Sequence, residues 1–276
     1  MAGTEKTVFC RARPGPLTRR KDTSKVRGPC WHNERDRYEM CPSSPLTRRS
    51  DTKGPYWSEF VIIGKVVEMK KLNLAILCSG GGTNLQALID AIEKGELSAE
   101  IKVVISNNSN AFALERARKH NISALRLSHK QFATPEEFDQ RLLEVLRQNQ
   151  IDMIVLAGYM KMLSTTIIRA YKNRILNIHP ALLPHFGGPG MYGMHVHEAV
   201  IKSGVKITGV TVHIVDEVYD HGVIVMQKPV EVKDDDTPEG LAERVLKVEH
   251  DTYKKAIQLF AEDRIEIRDS RAYIKP

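Results

Sequence analysis

Asn177 and His179 close a short apolar run, Arg174-Ile175-Leu176-Asn177-Ile178, and Pro180 opens a loop rich in Pro and Gly. On a strand, residues i and i+2 project to the same face, so this amide and imidazole converge on one small volume. In open α/β sheets, ligands bind at the carboxyl edge, where this pair falls. Asn-x-His alone also fits a turn with capping residues, so the chemical reading needs partners. Asp220 is one candidate, on a turn after a strand and beside His221-Gly222. A carboxylate near an imidazole raises its pKa and fixes its orientation. If Asp220 reaches His179, the two form an acid/base unit protonated near neutrality; otherwise Asp220 is a turn residue before a glycine.

A third group lies far upstream. Ser79-Gly80-Gly81-Gly82-Thr83-Asn84 sits between an apolar run and an amphipathic segment. Strand, glycine loop and helix together present backbone N–H groups and a positive helix end to an anion. No Lys follows the last glycine, so this is not a P-loop. Leu85 occupies the third glycine position of a dinucleotide fingerprint starting at Gly80, and no acidic residue near 105 could hold a ribose. The expected ligand is a phosphate on a small molecule, with a tight N-capping turn as the alternative. His213 reads as a core histidine or one that supports the site. His195 and His197 diverge at i and i+2 of a helix, which argues against a metal. Glu249 on the last helix either faces the cleft or is solvated.

The elements that must carry these groups follow from periodicity. Leu72 to Cys78 is the near-continuous apolar run of a strand buried on both faces. Leu85, Leu88, Ile89 and Ile92 then recur at i, i+3, i+4 and i+7, a helix that Gly95 ends. Strands are expected at 101–105, 124–127 and 153–156, and helices at 111–120, from Thr134-Pro135, at about 163–171 and at 195–202. Strands at 209–215 and 222–227 are close enough to pair as a hairpin, and Thr237-Pro238-Glu239 caps a long final helix. Alternating strands and helices imply an α/β fold with a parallel sheet and right-handed crossovers.

Composition limits the function classes. Of 41 basic and 34 acidic residues, 15 and 8 fall within residues 1–70, which leaves 26 of each in the remainder. The positive charge belongs to the N-terminal quarter, and the rest has no electrostatic footprint for a polyanion. Residues 1–69 read as a basic, disordered extension with one internal echo (Pro16 to Trp31 returning as Pro45 to Trp57). Two copies are too few for a solenoid. Met69, just before the first strand, suggests that the extension lies upstream of the functional start; a basic arm touching RNA or a membrane is the alternative. Cys10, Cys30 and Cys41 lie in it without any C-x₂-C pair, which argues against zinc. Apolar clusters are far shorter than the roughly 18 residues of a membrane span. A cytoplasmic protein is expected.

Ser79 to Gln86, Leu156-Ala157-Gly158-Tyr159-Met160, Asn177 to Pro184, and Gly209 to His213 leading to Asp220 together resemble the phosphoribosylglycinamide formyltransferases, folate-dependent enzymes of purine biosynthesis. The resemblance covers about residues 71–268 and places the catalytic domain at 70–276. It implies a three-layer, mostly parallel, Rossmann-like sheet with a C-terminal hairpin and a long final helix. It further implies formyl transfer from 10-formyltetrahydrofolate, a co-substrate, to the glycine amine of glycinamide ribonucleotide. By resemblance, Asn177, His179 and Asp220 are catalytic, with Asp220 keeping His179 cationic. Gly82, Thr83 and Asn84 hold the substrate phosphate, and Glu249 its ribose. Met160, Lys161, Met162 and Leu163, with Asn177, contact the folate. The implied partners are these small molecules, with no metal, nucleic acid or membrane. Pro135 stands where members often carry an Arg for the folate, and the loop His185–Met194 is longer and richer in glycine than in many members, as a mobile flap would be. Formyltetrahydrofolate hydrolase shares the three catalytic residues but has a regulatory domain before them. Methionyl-tRNA formyltransferase needs a further domain after them and a basic surface.

Overall fold

The computed structural model describes residues 71–276. The N-terminal extension, its echo and the three cysteines within it lie outside the described residues. In chain order the elements are β1 (Leu72–Cys78), α1 (Thr83–Glu93), β2 (Ala99–Ser106), α2 (Phe112–Lys119), β3 (Ser123–Arg126), α3 (Pro135–Gln148), β4 (Met153–Leu156), α4 (Thr165–Ala170), β5 (Ile175–His179), α5 (Met194–Ser203), β6 (Ile207–Ile214), β7 (Ile224–Glu231), α6 (Pro238–Ala261), β8 (Ile265–Arg268) and β9 (Arg271–Ile274).

The first seven strands form one sheet in the order β3-β2-β1-β4-β5-β6-β7. Pairings from β3 through β5 are parallel, while β5–β6 and β6–β7 are antiparallel. Helices cover both faces, which is why β1 is apolar on both sides. Leu74, Ile76 and Cys78 join one core with Leu85 of α1, Leu114 of α2, Val196 of α5 and Tyr253 of α6. Ala75 and Leu77 join the opposite core with Leu142 of α3 and Ile167 of α4. The expected three-layer α/β architecture is present. The terminal β8–β9 pair was not anticipated, because its four-residue strands mix charged and apolar residues.

Helix starts obey their capping chemistry. Thr134 Oγ1 accepts from the Glu137 N–H, and Thr237 Oγ1 from the Gly240 N–H, each with Pro in the first turn. In α3, Pro135 is therefore a helix-starting residue. Chain order on the sheet reverses between β1 and β4, so their carboxyl ends open a crevice at the switch point. Tyr253 ties the two sides of that edge together. Its hydroxyl, fully buried on α6, lies 3.0 Å from the carbonyls of both Leu156 (β4) and Leu176 (β5).

Candidate active site

A cavity of about 610 Å³ opens at this carboxyl edge. It is lined by Asn177 and His179 at the end of β5, Asp220 from the β6–β7 turn, and Met160 to Leu163 after β4. Asn84 of α1 and Glu249 of α6 line it as well. Residues separated by up to 165 positions thus share one space. Gly82 and Thr83 do not line this cavity; they form the start of α1 beside it.

Pairing explains how the catalytic candidates meet. Asn177 is the cross-strand partner of His213 in the antiparallel β5–β6 register. The Asn177 Nδ2 donates to His213 Nε2 at 3.0 Å, and His213 Nδ1–H donates to the Ile214 carbonyl at 3.1 Å. An amide nitrogen carries two hydrogens, so the second N–H of Asn177 remains free for a ligand. Asp220 stands between two rings: its Oδ2 is 3.7 Å from His179 Nδ1, and its Oδ1 is 3.6 Å from His213 Nε2. The Gly188 N–H donates to Asp220 Oδ2 at 2.9 Å. Asp220 adopts a left-handed φ of 52°, a conformation that Asp tolerates better than most residues. Gly187 passes so close that an added Cβ would meet Leu183 Cδ2 at 2.5 Å and Asp220 Cβ at 3.1 Å.

The electrostatics correct one expectation. His179 was expected to be protonated near neutrality, but its pKa is lowered. Burial is the largest influence; the Asp220 carboxylate and the hydrogen bond to Phe186 oppose it, and His213 adds to it. At 3.7 Å, the carboxylate does not offset the loss of water around a ring that is almost fully enclosed. His179 Nε2–H also donates to the Phe186 carbonyl at 2.7 Å, a loop partner that residue types could not reveal. Asp220 itself is lowered: burial raises it, and the neighbouring His213 ring, the Gly188 N–H and His179 together outweigh that.

The glycine loop between β1 and α1 takes the tight conformation that its sequence allows. Gly82 has φ 71° and caps α1 without a side chain. An added Cβ there would meet Ala113 Cβ at 2.8 Å. Helix α1 has no side-chain N-cap bond and no acidic residue in its first turn, which leaves a positive end toward the crevice. Arg116, which sequence reasoning missed, donates from Nε to the Gly81 carbonyl at 2.9 Å. Ser79 links this loop to the one after β4: its Oγ accepts from the Met160 N–H at 2.8 Å and donates to Asn107 Oδ1 at 2.6 Å.

Glu249 faces the cleft and is not solvated. Asn84 Nδ2 donates to its Oε2 at 2.8 Å. Burial raises its pKa to about 7, with the Asn84 bond opposing. Met160 and Met162 leave half of their surface open at the cavity mouth, beside exposed Tyr192, Val218 and Tyr219. Glycines 188, 190 and 193 of the long loop line the same space, so that segment does border the cleft. His195 is exposed on α5 while His197 is buried, the divergence expected of i and i+2. Among the described residues, no group of His, Cys, Asp and Glu could hold a metal ion.

Comparison with known proteins agrees with this geometry. Residues 72–257 match the formyl transferase family model. The chain is 41% identical over 200 residues to the chloroplastic phosphoribosylglycinamide formyltransferase of Vigna unguiculata, covering 72% of this chain and 64% of that relative. It is 38% identical over 206 residues to the phosphoribosylglycinamide formyltransferase of Haemophilus influenzae, covering 75% of this chain and 94% of the relative. Among solved structures, glycinamide ribonucleotide transformylase 1 of Symbiobacterium toebii superposes with a TM-score of 0.71 at 39% identity, covering 75% of this chain and 95% of that one. With a matched model over residues 72–257, this chain belongs to the formyl transferase family.

Proposed function

We propose that the chain transfers the formyl group of 10-formyltetrahydrofolate to the glycine amine of 5-phosphoribosylglycinamide. The observation that carries this reading is the meeting, in one cavity, of Asn177, His179 and Asp220 with Asn84 and Glu249. An acyl-transfer group and a phosphate-loop residue then serve a single ligand pair. The relatives' names support the same substrates.

In this reading the amine attacks the formyl carbon, and negative charge develops on the formyl oxygen. The free N–H of Asn177 and the ring of His179 stabilise that charge. Burial favours neutral His179 in the free protein, but an oxyanion against the ring acts in the opposite sense. The imidazolium is thus favoured when charge forms, and it passes its proton to the leaving folate nitrogen. The α1 amino end with Gly82, Thr83 and Asn84 takes the phosphate, and Glu249 the ribose. Backbone and side chains of Met160 to Leu163 hold the folate. Residues 70–276 form the catalytic domain, acting on small molecules in the cytoplasm without metal, nucleic acid or membrane.

The test is turnover with both substrates. Folate deformylation that depends on the ribonucleotide is expected. Deformylation at the same rate without it would replace the transferase reading with a hydrolase.

A further inference from the structure

The proposed reaction leaves one proton without a destination. The attacking amine loses a proton once its nitrogen bonds to the formyl carbon, and the groups already assigned are committed. Asp220 is engaged by the Gly188 N–H and flanked by two imidazoles. Glu249 accepts from Asn84. His213 is held through both ring nitrogens, by Asn177 and by the Ile214 carbonyl. His179 must supply a proton, not receive one, at the stage when the folate nitrogen leaves.

One further titratable side chain lines the cavity from inside the fold. His197, on the inward face of α5, is 6% exposed. Neither of its ring nitrogens has a hydrogen-bond partner among the described residues, and Nδ1 is sealed away from solvent. A buried imidazole without partners forfeits the hydrogen bonds it made in water. Such a group is stabilised when a bound molecule supplies the missing partner. Nε2, which is not sealed, is the nitrogen that a ligand can reach. Burial disfavours protonation of this ring, and any charge on neighbouring His179 acts in the same sense, so it rests in the neutral, proton-accepting form. The other charged groups of the cavity wall are Lys161 after β4, Asp216 and Asp220 between β6 and β7, and Glu243 and Glu249 on α6. Along its own helix, His195 and Glu198 are exposed and face each other at 3.6 Å.

We infer that His197 is a catalytic residue, the base that takes the proton from the attacking glycine amine. The inference rests on the transferase reading above. The amine nitrogen donates its lone pair to the formyl carbon, and the C=O pair moves onto oxygen. An N–H proton then passes to His197 Nε2. The oxygen pair returns, the bond from carbon to the folate nitrogen breaks, and that nitrogen keeps the electron pair and takes the proton of His179. His179 takes that proton from solvent as the imidazolium forms, and the cycle closes when His197 releases its proton to solvent. No oxidant, metal or further reactant is required.

The experiment compares His197→Gln and His197→Ala with the parent, using both substrates, with His179→Ala as a control. General-base removal typically lowers rate by about 10²–10⁴-fold. The expected result is a kcat lowered by about 100-fold, with KM for each substrate within a few-fold of the parent. Added imidazole should restore part of the rate to His197→Ala. That rescue would not occur if the ring merely filled space, and thermal melting checks that both variants fold. A kcat within about three-fold of the parent in His197→Gln, or a loss in His197→Ala that imidazole leaves unchanged, overturns the inference. If the parent itself deformylates the folate at the same rate without the ribonucleotide, the failure belongs to the transferase reading; if only His179→Ala matches the parent, it belongs to the role of His179.

Discussion

Burial at the site acts in opposite directions on its acids and bases. It lowers His179 and His197 and raises Glu249, because in each case water is withdrawn from the charged form. The Glu249 shift makes a stability prediction. Its folded pKa of about 7 lies above the ordinary 4.5, so the folded state binds more protons between those values. The stability it contributes is complete below 4.5 and is lost as pH rises through about 7. A shift of that size corresponds to about 3 kcal/mol. Glu249→Gln removes the ionisation and keeps an acceptor for Asn84. The variant should match the parent in acid and exceed it in chemical denaturation at alkaline pH; equal pH profiles would contradict the buried carboxyl. On the proposed roles, His179→Ala and Asp220→Asn should each lower kcat by orders of magnitude with modest changes in substrate binding, measured in steady-state assays.

At the scale of elements, the cleft depends on how strand ends are tied together. Tyr253 bridges β4 and β5 from α6, and its loss would leave two buried carbonyls without that donor. Tyr253→Phe should reduce unfolding free energy by about 1–3 kcal/mol, read from urea denaturation. Gly187→Ala would drive a methyl into Leu183 and Asp220; it should lower turnover more than it lowers melting temperature, since the clash falls on the site. Much of this arrangement was legible in the chain. Asn177 and His179 were readable because period-two geometry fixes their common face. The tight turn at Gly82 was readable because glycines between a strand and a helix mark a close backbone turn. Glu249 stayed ambiguous, since the buried face of α6 is set by α1 and α5 together. The Phe186 carbonyl on His179 was hidden, because backbone groups carry no residue signature. His197 was read only as half of an improbable metal pair. Its isolation is a property of the packed cavity, and spacing alone says nothing of missing partners.

For the whole molecule, the net positive charge falls within residues 1–70. Residues 71–276 are balanced in charge, and every residue assigned to the cleft lies among them. Deleting residues 1–69 is therefore expected to leave kcat and KM for both substrates unchanged; a collapse of turnover would show that the basic segment takes part. No helix among the described residues is long and apolar enough to cross a membrane.

The pairing of Asn177 with His213 across antiparallel strands has one more consequence. A slip of β5 by one residue would turn Asn177, and His179 with it, to the opposite face of the sheet from His213. Backbone hydrogen bonding could survive such a slip, so secondary-structure content would barely register it. Enzymatic activity would vanish. For this protein, regain of turnover after refolding is a register gauge: it counts the molecules whose sheet has closed with every strand in its proper place.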